Sequence, residues 1–350
     1  MVYTDTAVDA APATTTPAQA ASRGARLLTA LSGARRNRLL PLLFLWLALG
    51  AYFAATENHF LDWQNITSTL EQNSVLFTVA MAETVVLLAG AVDLSAGALL
   101  ALTGLVLTIS NSGVPPWAAL VLTVLTGGVL SGCLNGLPIG LAKMNPFVVT
   151  LGTASIFLGV ANVITNANTE VINNATLLSD IVGKTIGSFP IVAIEMLAVF
   201  AAFWWMLRYT YFGRNVYAVG GNAEAATLAG ISVARVRIAA FVILGLATGF
   251  AAALYAGQLL SVAPSSGTGL ELRAITVVLL GGTSLAGGRG GVGGTALAVL
   301  FLATLQNGLD IGGVSSFWQD IVTGSVLVLA VGFDQARQHL AENRNLKGER

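Results

Sequence analysis

Apolar residues run along this chain in ten long stretches, at about 39–56, 72–91, 94–111, 116–141, 146–165, 190–209, 237–260, 271–287, 291–309 and 317–334. An α-helix rises about 1.5 Å per residue, so about 20 residues cover a hydrocarbon layer of about 30 Å. Buried helices of water-soluble domains are usually shorter. The pattern therefore predicts an all-α integral membrane protein, a polytopic bundle of about ten transmembrane helices.

Two places interrupt the pattern most visibly. They are Ala91-Val92-Asp93-Leu94-Ser95-Ala96-Gly97 and the stretch 261–272 around Ser265-Ser266-Gly267-Thr268-Gly269. Non-helical backbone at membrane depth survives only when protein buries it or when it lines a watery cavity, so each break is either part of a transport path or an interfacial turn. Polar side chains inside the runs are few. Glu83 is the most conspicuous, because a carboxylate in hydrocarbon must face a partner, a cavity or the bundle interior. Asp93, two residues before Ser95, is placed to cap the helix that follows by accepting backbone N–H groups at its positive end.

Composition agrees with this reading. Hydrophobic residues make up 55% of the chain and charged residues only 10%, with mean hydropathy +0.77, outside the range of soluble globular domains. The 39 glycines suit a membrane bundle, where small residues let helix backbones approach closely. A single cysteine, Cys133, can form no internal disulfide and reads as a small core residue.

The zero net charge hides an uneven distribution. With the N-terminus placed in the cytoplasm and the runs threaded alternately, 17 Lys and Arg divide so that only Lys184 and Arg273 fall outside. That bias fits the positive-inside rule and puts both termini in the cytoplasm. Residues 1–22, rich in Ala, Thr and Pro, cannot bury enough surface to order themselves, so 1–38 is expected to be a disordered basic cytoplasmic tail. No small-residue cleavage pattern marks the first apolar run as a removable signal. Residues 39–335 form the transmembrane domain, and 336–350 a cytoplasmic C-terminal tail.

The segment 210–236 is the long cytoplasmic connection. Residues 223–229 are good helix formers, with Asn222 as N-cap and Gly230 as the stop, so a short helix should lie here outside the membrane. It is either a docking element for another protein or a loop packed on its own helices. Other chemistry is thinly supported. No Gly-x-x-x-x-Gly-Lys-Ser/Thr phosphate loop occurs, and two histidines, His59 and His339, make neither a metal site nor a nucleophilic centre. The glycine-rich run 281–294 reads as a tight helical hairpin. No paired catalytic set points to an intramembrane enzyme.

Several stretches in order resemble one family, the permease subunits of ribose-type ATP-binding-cassette sugar importers. They are Gly90–Gly97, Asn135-Gly136, Asn145-Pro146-Phe147-Val148-Val149-Thr150-Leu151-Gly152-Thr153, Gly213-Arg214, Ala218-Val219-Gly220-Gly221-Asn222, the Glu-Ala-Ala-x-x-x-Gly loop at 224–230, Glu271-Leu272, 281–290 and Asn307-Gly308. The resemblance spans roughly residues 40–335. Departures are Ala91, where the family usually has glycine, Ala96, where a valine is common nearby, and Glu83, where the family has an uncharged residue.

The resemblance implies a multi-pass protein of the bacterial plasma (inner) membrane that forms a pore with a second copy or a close relative. It implies no cofactor on this chain, ATP and Mg being bound by separate cytoplasmic ATPase subunits. A soluble binding protein would deliver a monosaccharide: a ribose-like pentose, a hexose or a related polyol. Asn222, Glu224, Ala225, Ala226, Leu228 and Gly230 would form the coupling helix that meets the ATPase. Glu83, Asp93, Ser95, Asn135, Phe147, Thr150 and Asn307 are candidates for the translocation path or its structural frame. The alternative from the residues alone is an ion- or proton-coupled secondary transporter using Glu83 and Asp93 as titrating groups.

Overall fold

A computed structural model describes residues 39–111, 113–172, 185–186, 189–319 and part of 321–332. The expected tails at 1–38 and 336–350, and half of the tenth span at 317–334, lie outside the described residues. The helices in order are α1 (Leu40–Thr56), α2 (Trp63–Leu88), α3 (Ala96–Ser110), α4 (Pro116–Gly140), α5 (Pro146–Thr165) and α6 (Ile191–Tyr209). They continue with α7 (Tyr211–Gly221), α8 (Ala223–Leu228), α9 (Val233–Leu259), α10 (Leu270–Leu280) and α11 (Val292–Ile311). Two-residue strands β1 (Glu170–Val171), β2 (Thr185–Ile186), β3 (Phe189–Pro190) and β4 (Ser261–Val262) pair antiparallel as β1 with β4 and β2 with β3.

Among the described residues, α4, α5, α6, α9 and α11 are each long and apolar enough to cross a membrane. Helix α2 lies at the centre. From Ser74 to Leu88 every residue is buried, and a helix hydrophobic all round is one enclosed by others. It begins at Trp63 rather than near 72, because its polar first turns are helical although they carry no apolar signal.

Two expected spans come out short. Helix α3 has 15 residues and rises about 22 Å, and α10 has 11 and rises about 16 Å, so neither crosses about 30 Å alone. The expected span 271–287 ends at Leu280 because a glycine-capped turn stops it. That cap also occurs at the end of α2, and in both places it follows the same five residues: Thr84-Val85-Val86-Leu87-Leu88 and Thr276-Val277-Val278-Leu279-Leu280. Gly90 N–H donates to Leu87 O at 2.9 Å and Ala91 N–H to Val86 O at 3.1 Å. Gly282 N–H donates to Leu279 O at 2.9 Å and Thr283 N–H to Val278 O at 3.1 Å. These are paired reverse-turn bonds that satisfy the last carbonyls of a helix. A hydrogen bond of 2.8 Å between the Thr84 and Thr295 hydroxyls ties α2 to α11.

A close glycine contact joins α4 to α9. On α4, Gly128, Gly132, Gly136 and Gly140 recur every fourth residue, and on α9 Gly245 and Gly249 do the same. A Cβ on Gly127 would collide with the carbonyl oxygen of Gly245, and one on Gly245 with that of Gly127. The two backbones touch, which is how helices gain packing where lipid supplies no hydrophobic drive. A π-helical segment, Ser131–Gly136, lies within this stretch of α4.

Candidate functional site

The first break in the apolar pattern lies in the interior, and it meets the second at the buried Gly267. Ala91, Asp93 and Ser95 are buried, and a Cβ on Gly97 would collide with the Gly267 carbonyl and with Glu271 Oε2. Only glycine lets the start of α3 and the turn before α10 approach so closely. Four of the predicted residues form one buried chain here. Asp93 N–H donates to Glu83 Oε1 at 3.2 Å, and the Ser95 hydroxyl donates to Asp93 Oδ1 at 2.6 Å. Asn135 Nδ2 donates to Ser95 Oγ at 2.8 Å, while the Thr153 hydroxyl donates to Asn135 Oδ1 at 2.5 Å. Asp93 Oδ1 also takes the N–H of Ser95, the residue before α3, and accepts no N–H from within the helix. The chain thus bridges α2, α3, α4 and α5.

Thr153 and Glu271 belong to this centre and were not singled out as site residues, although both stand within the family-like stretches. Thr150 adjoins it, its carbonyl accepting the Thr153 hydroxyl at 3.1 Å, while Phe147 and Asn307 lie apart. Thr150 bonds back to the Pro146 carbonyl at 2.8 Å, Phe147 is exposed on the first turn of α5, and Asn307 pairs with Asn65 near the far end of α2.

The second site is α8. Asn222 Oδ1 accepts the Ala225 N–H at 2.9 Å. Gly230 adopts φ +82°, its N–H donating to Thr227 O at 3.0 Å and the Ile231 N–H to Ala226 O at 2.9 Å. A left-handed residue closing a helix in this way is the role glycine fills without strain. The segment is thus a short helix capped at both ends, with Leu228 90% exposed and Glu224, Ala225 and Ala229 also outward. Ala226 turns inward at 4% exposure, which removes it from the outward face assigned to it on sequence.

The segment 210–236 also holds a second helix, α7, which the sequence reading took as loop. Thr210 caps it by accepting the Gly213 N–H at 3.1 Å. Arg214 stacks over the Tyr211 ring at 4.3 Å, a cation–π contact. Gly220 on α7 touches Leu88 and Gly288, and Tyr217 donates to Gly290 O at 3.0 Å. Burial pushes the Tyr217 phenol up, with Arg208 opposing, so it stays a donor at neutral pH. Helix α7 therefore seats α8 on the ends of α2 and the α10–α11 hairpin.

Residues 65–331 match the family described as branched-chain amino acid transport system / permease component. The chain belongs to that permease family. It is 42% identical over 282 residues to the ribose import permease protein of Bacillus subtilis (strain 168), covering 79% of this chain and 87% of the relative. It is 35% identical over 282 residues to the D-allose transport system permease protein of Escherichia coli (strain K12), covering 80% and 86%. To the L-arabinose ABC transporter permease protein of Azospirillum brasilense it is 35% identical over 303 residues, covering 85% and 88%. No solved structure matches the chain.

The permease is thus a multi-pass membrane protein and a transport component rather than an enzyme. Its buried Glu83 has no cationic partner: among the described residues the one salt bridge is His59–Asp62. The bond to the Asp93 N–H is the interaction Glu83 supplies, and an amide oxygen accepts it equally well. Glu83→Gln should therefore leave the permease in the membrane at wild-type level. Glu83→Leu strands that N–H and should lower stability by about 1–3 kcal/mol. Quantified membrane extracts and thermal unfolding in detergent check both; loss of the Gln variant would show that the charge itself is required.

Proposed function

We propose that this permease is one half of the pore of an ATP-driven importer, with a second copy or close relative as the other half. A monosaccharide would arrive on a soluble binding protein. Separate ATPase subunits would bind ATP and Mg and press on α8. The observation that carries this reading is α8 itself, a helix capped at both ends that presents Leu228, Ala225 and Glu224 outward between two membrane helices. A self-contained transporter has no use for such an element. The relatives named for ribose, D-allose and L-arabinose support a sugar as cargo.

This reading places α8 in the cytoplasm, which the distribution of Lys and Arg supports. The buried chain from Glu83 to Thr153 then acts as a frame. It fixes the start of α3 against α2, α4 and α5. Uptake of labelled pentoses, hexoses and polyols by cells expressing the permease with its neighbouring ATPase and binding-protein genes is the test. Uptake of at least one monosaccharide, abolished when the ATPase is inactivated, is expected. Uptake that survives loss of the ATPase and follows an ion gradient would overturn the reading.

A further inference from the structure

A cavity of about 300 Å³ opens between the first half of α2, the start of α10, the end of α11 and the segment after it. Every residue lining it except Ala303 is polar. The amides of Gln72, Asn73, Gln306 and Asn307 face the same space as Arg273 and Asp310. A concentration of polar groups on the flank of a membrane helix must hold water or a polar ligand, because hydrocarbon would leave them unbonded.

Two observations show that the walls are built and not merely wet. Asn65 and Asn307 exchange two amide hydrogen bonds, at 2.9 and 2.8 Å, which fixes the plane of Asn307. Gln319 Nε2 donates to Asp310 Oδ1 at 2.6 Å and to the Val314 carbonyl at 3.1 Å, which holds the carboxylate against the rim. Asn307, Asp310 and the Gln319 side-chain oxygen keep further capacity for the cavity.

The balance of groups selects the ligand class. One guanidinium and one carboxylate offset each other, so neither an anion nor a cation is favoured. Amide N–H groups, amide oxygens, the guanidinium and the carboxylate together supply donors and acceptors in a small space. A hydroxyl is both donor and acceptor, and a ring bearing several of them satisfies such a wall where an apolar or singly charged solute does not. The volume lies at the lower end of small-molecule pockets. The site is also at the far end of the bundle from the coupling element. Residues 69–73 of α2 are about 25 Å along the helix from Leu88, and Leu88 touches α7.

We propose that this cavity is an outer subsite for a neutral monosaccharide, which receives the sugar from the binding protein before it enters the pore. The proposal rests on the importer reading given above and adds the place of first contact. The test uses the full complex in proteoliposomes, with binding protein, ATP and radiolabelled ribose. Asn73→Leu combined with Gln306→Leu should lower ribose uptake roughly tenfold, since each lost hydrogen bond weakens binding severalfold. Stimulation of the ATPase by loaded binding protein should persist. Undiminished uptake overturns the proposal. Parallel loss of ATPase stimulation also overturns it, by making the cavity a protein-docking surface.

Should the double variant fail to fold, Gln72→Cys in a Cys133→Ser background gives a second measurement. Ribose should slow its modification by a small hydrophilic thiol reagent, and equal rates with and without ribose overturn the proposal. A wild-type complex that moves neither ribose nor any other monosaccharide would instead sink the importer reading itself.

Discussion

Replacing Leu228 by Arg should leave the protein in the membrane at normal level and abolish sugar uptake together with the stimulated ATPase. Leu228 is 90% exposed at the tip of α8, so the substitution removes no packing within the chain. A partner that buries this side chain gains about 1.5–3 kcal/mol from it, roughly ten- to hundredfold in docking affinity, and an arginine in the same pocket costs more because a charge must be desolvated. Glu224→Ala should be mild, since a solvent-edge carboxylate contact contributes about 0–1 kcal/mol. Gly230 and Ala226 are poorer probes. Gly230 carries the left-handed turn that closes α8 and Ala226 packs inward, so bulk at either would damage the helix itself. The measurement is uptake and ATPase rate in proteoliposomes at matched permease content, and a Leu228→Arg variant that transports normally would remove α8 as the coupling element.

The second large effect is on folding. Gly245→Val should prevent recovery of folded permease from the membrane, because any Cβ at this position collides with the carbonyl oxygen of Gly127 and approaches Ser131. Overpacking a close-packed core costs about 1–3 kcal/mol where side chains can shift, and here the obstacle is backbone, which cannot rotate aside. Gly159→Val on α5 is the matched control, as nothing lies within 4 Å of a Cβ there. Size-exclusion profiles of detergent extracts should show a monodisperse control and little or no folded Gly245 variant. Equal recovery of the two would show that α4 and α9 can separate without loss of the fold.

What could be read in the sequence was what local chemistry decides. The cap at Asn222 and the stop at Gly230 fixed α8, because both are properties of a few consecutive residues. Run length marked the helices whose faces are uniformly apolar, such as α5 and α9. It failed for α2, whose polar first turns line a cavity, and for α10, where Gly281-Gly282 looks like ordinary membrane-helix glycine until the matching cap at Gly90 is set beside it. The fourfold glycine spacing on α4 gained its meaning only from the structure, because nothing along the chain names α9 as its partner. Asp93 was placed as a helix cap, whereas its connection through Ser95 to Asn135 and Thr153 depends on four helices arriving together. The polar cavity was hidden for the same reason: Asn73, Arg273 and Gln306 are scattered along the chain, and only folding puts them in one wall.

The glycine contact between α4 and α9 has a mechanical consequence. Helix α9 starts at Val233, capped by Ser232, so only Ala229–Ser232 separate it from α8. Around Gly127, Gly245 and Gly249 the contact is backbone on backbone, so sliding α9 along α4 would drive one peptide oxygen over the other helix's Cα atoms, and there nothing can yield. A push delivered at α8 in the proposed importer therefore cannot be dissipated as slippage. It must turn α4 and α9 together as one stiff lever.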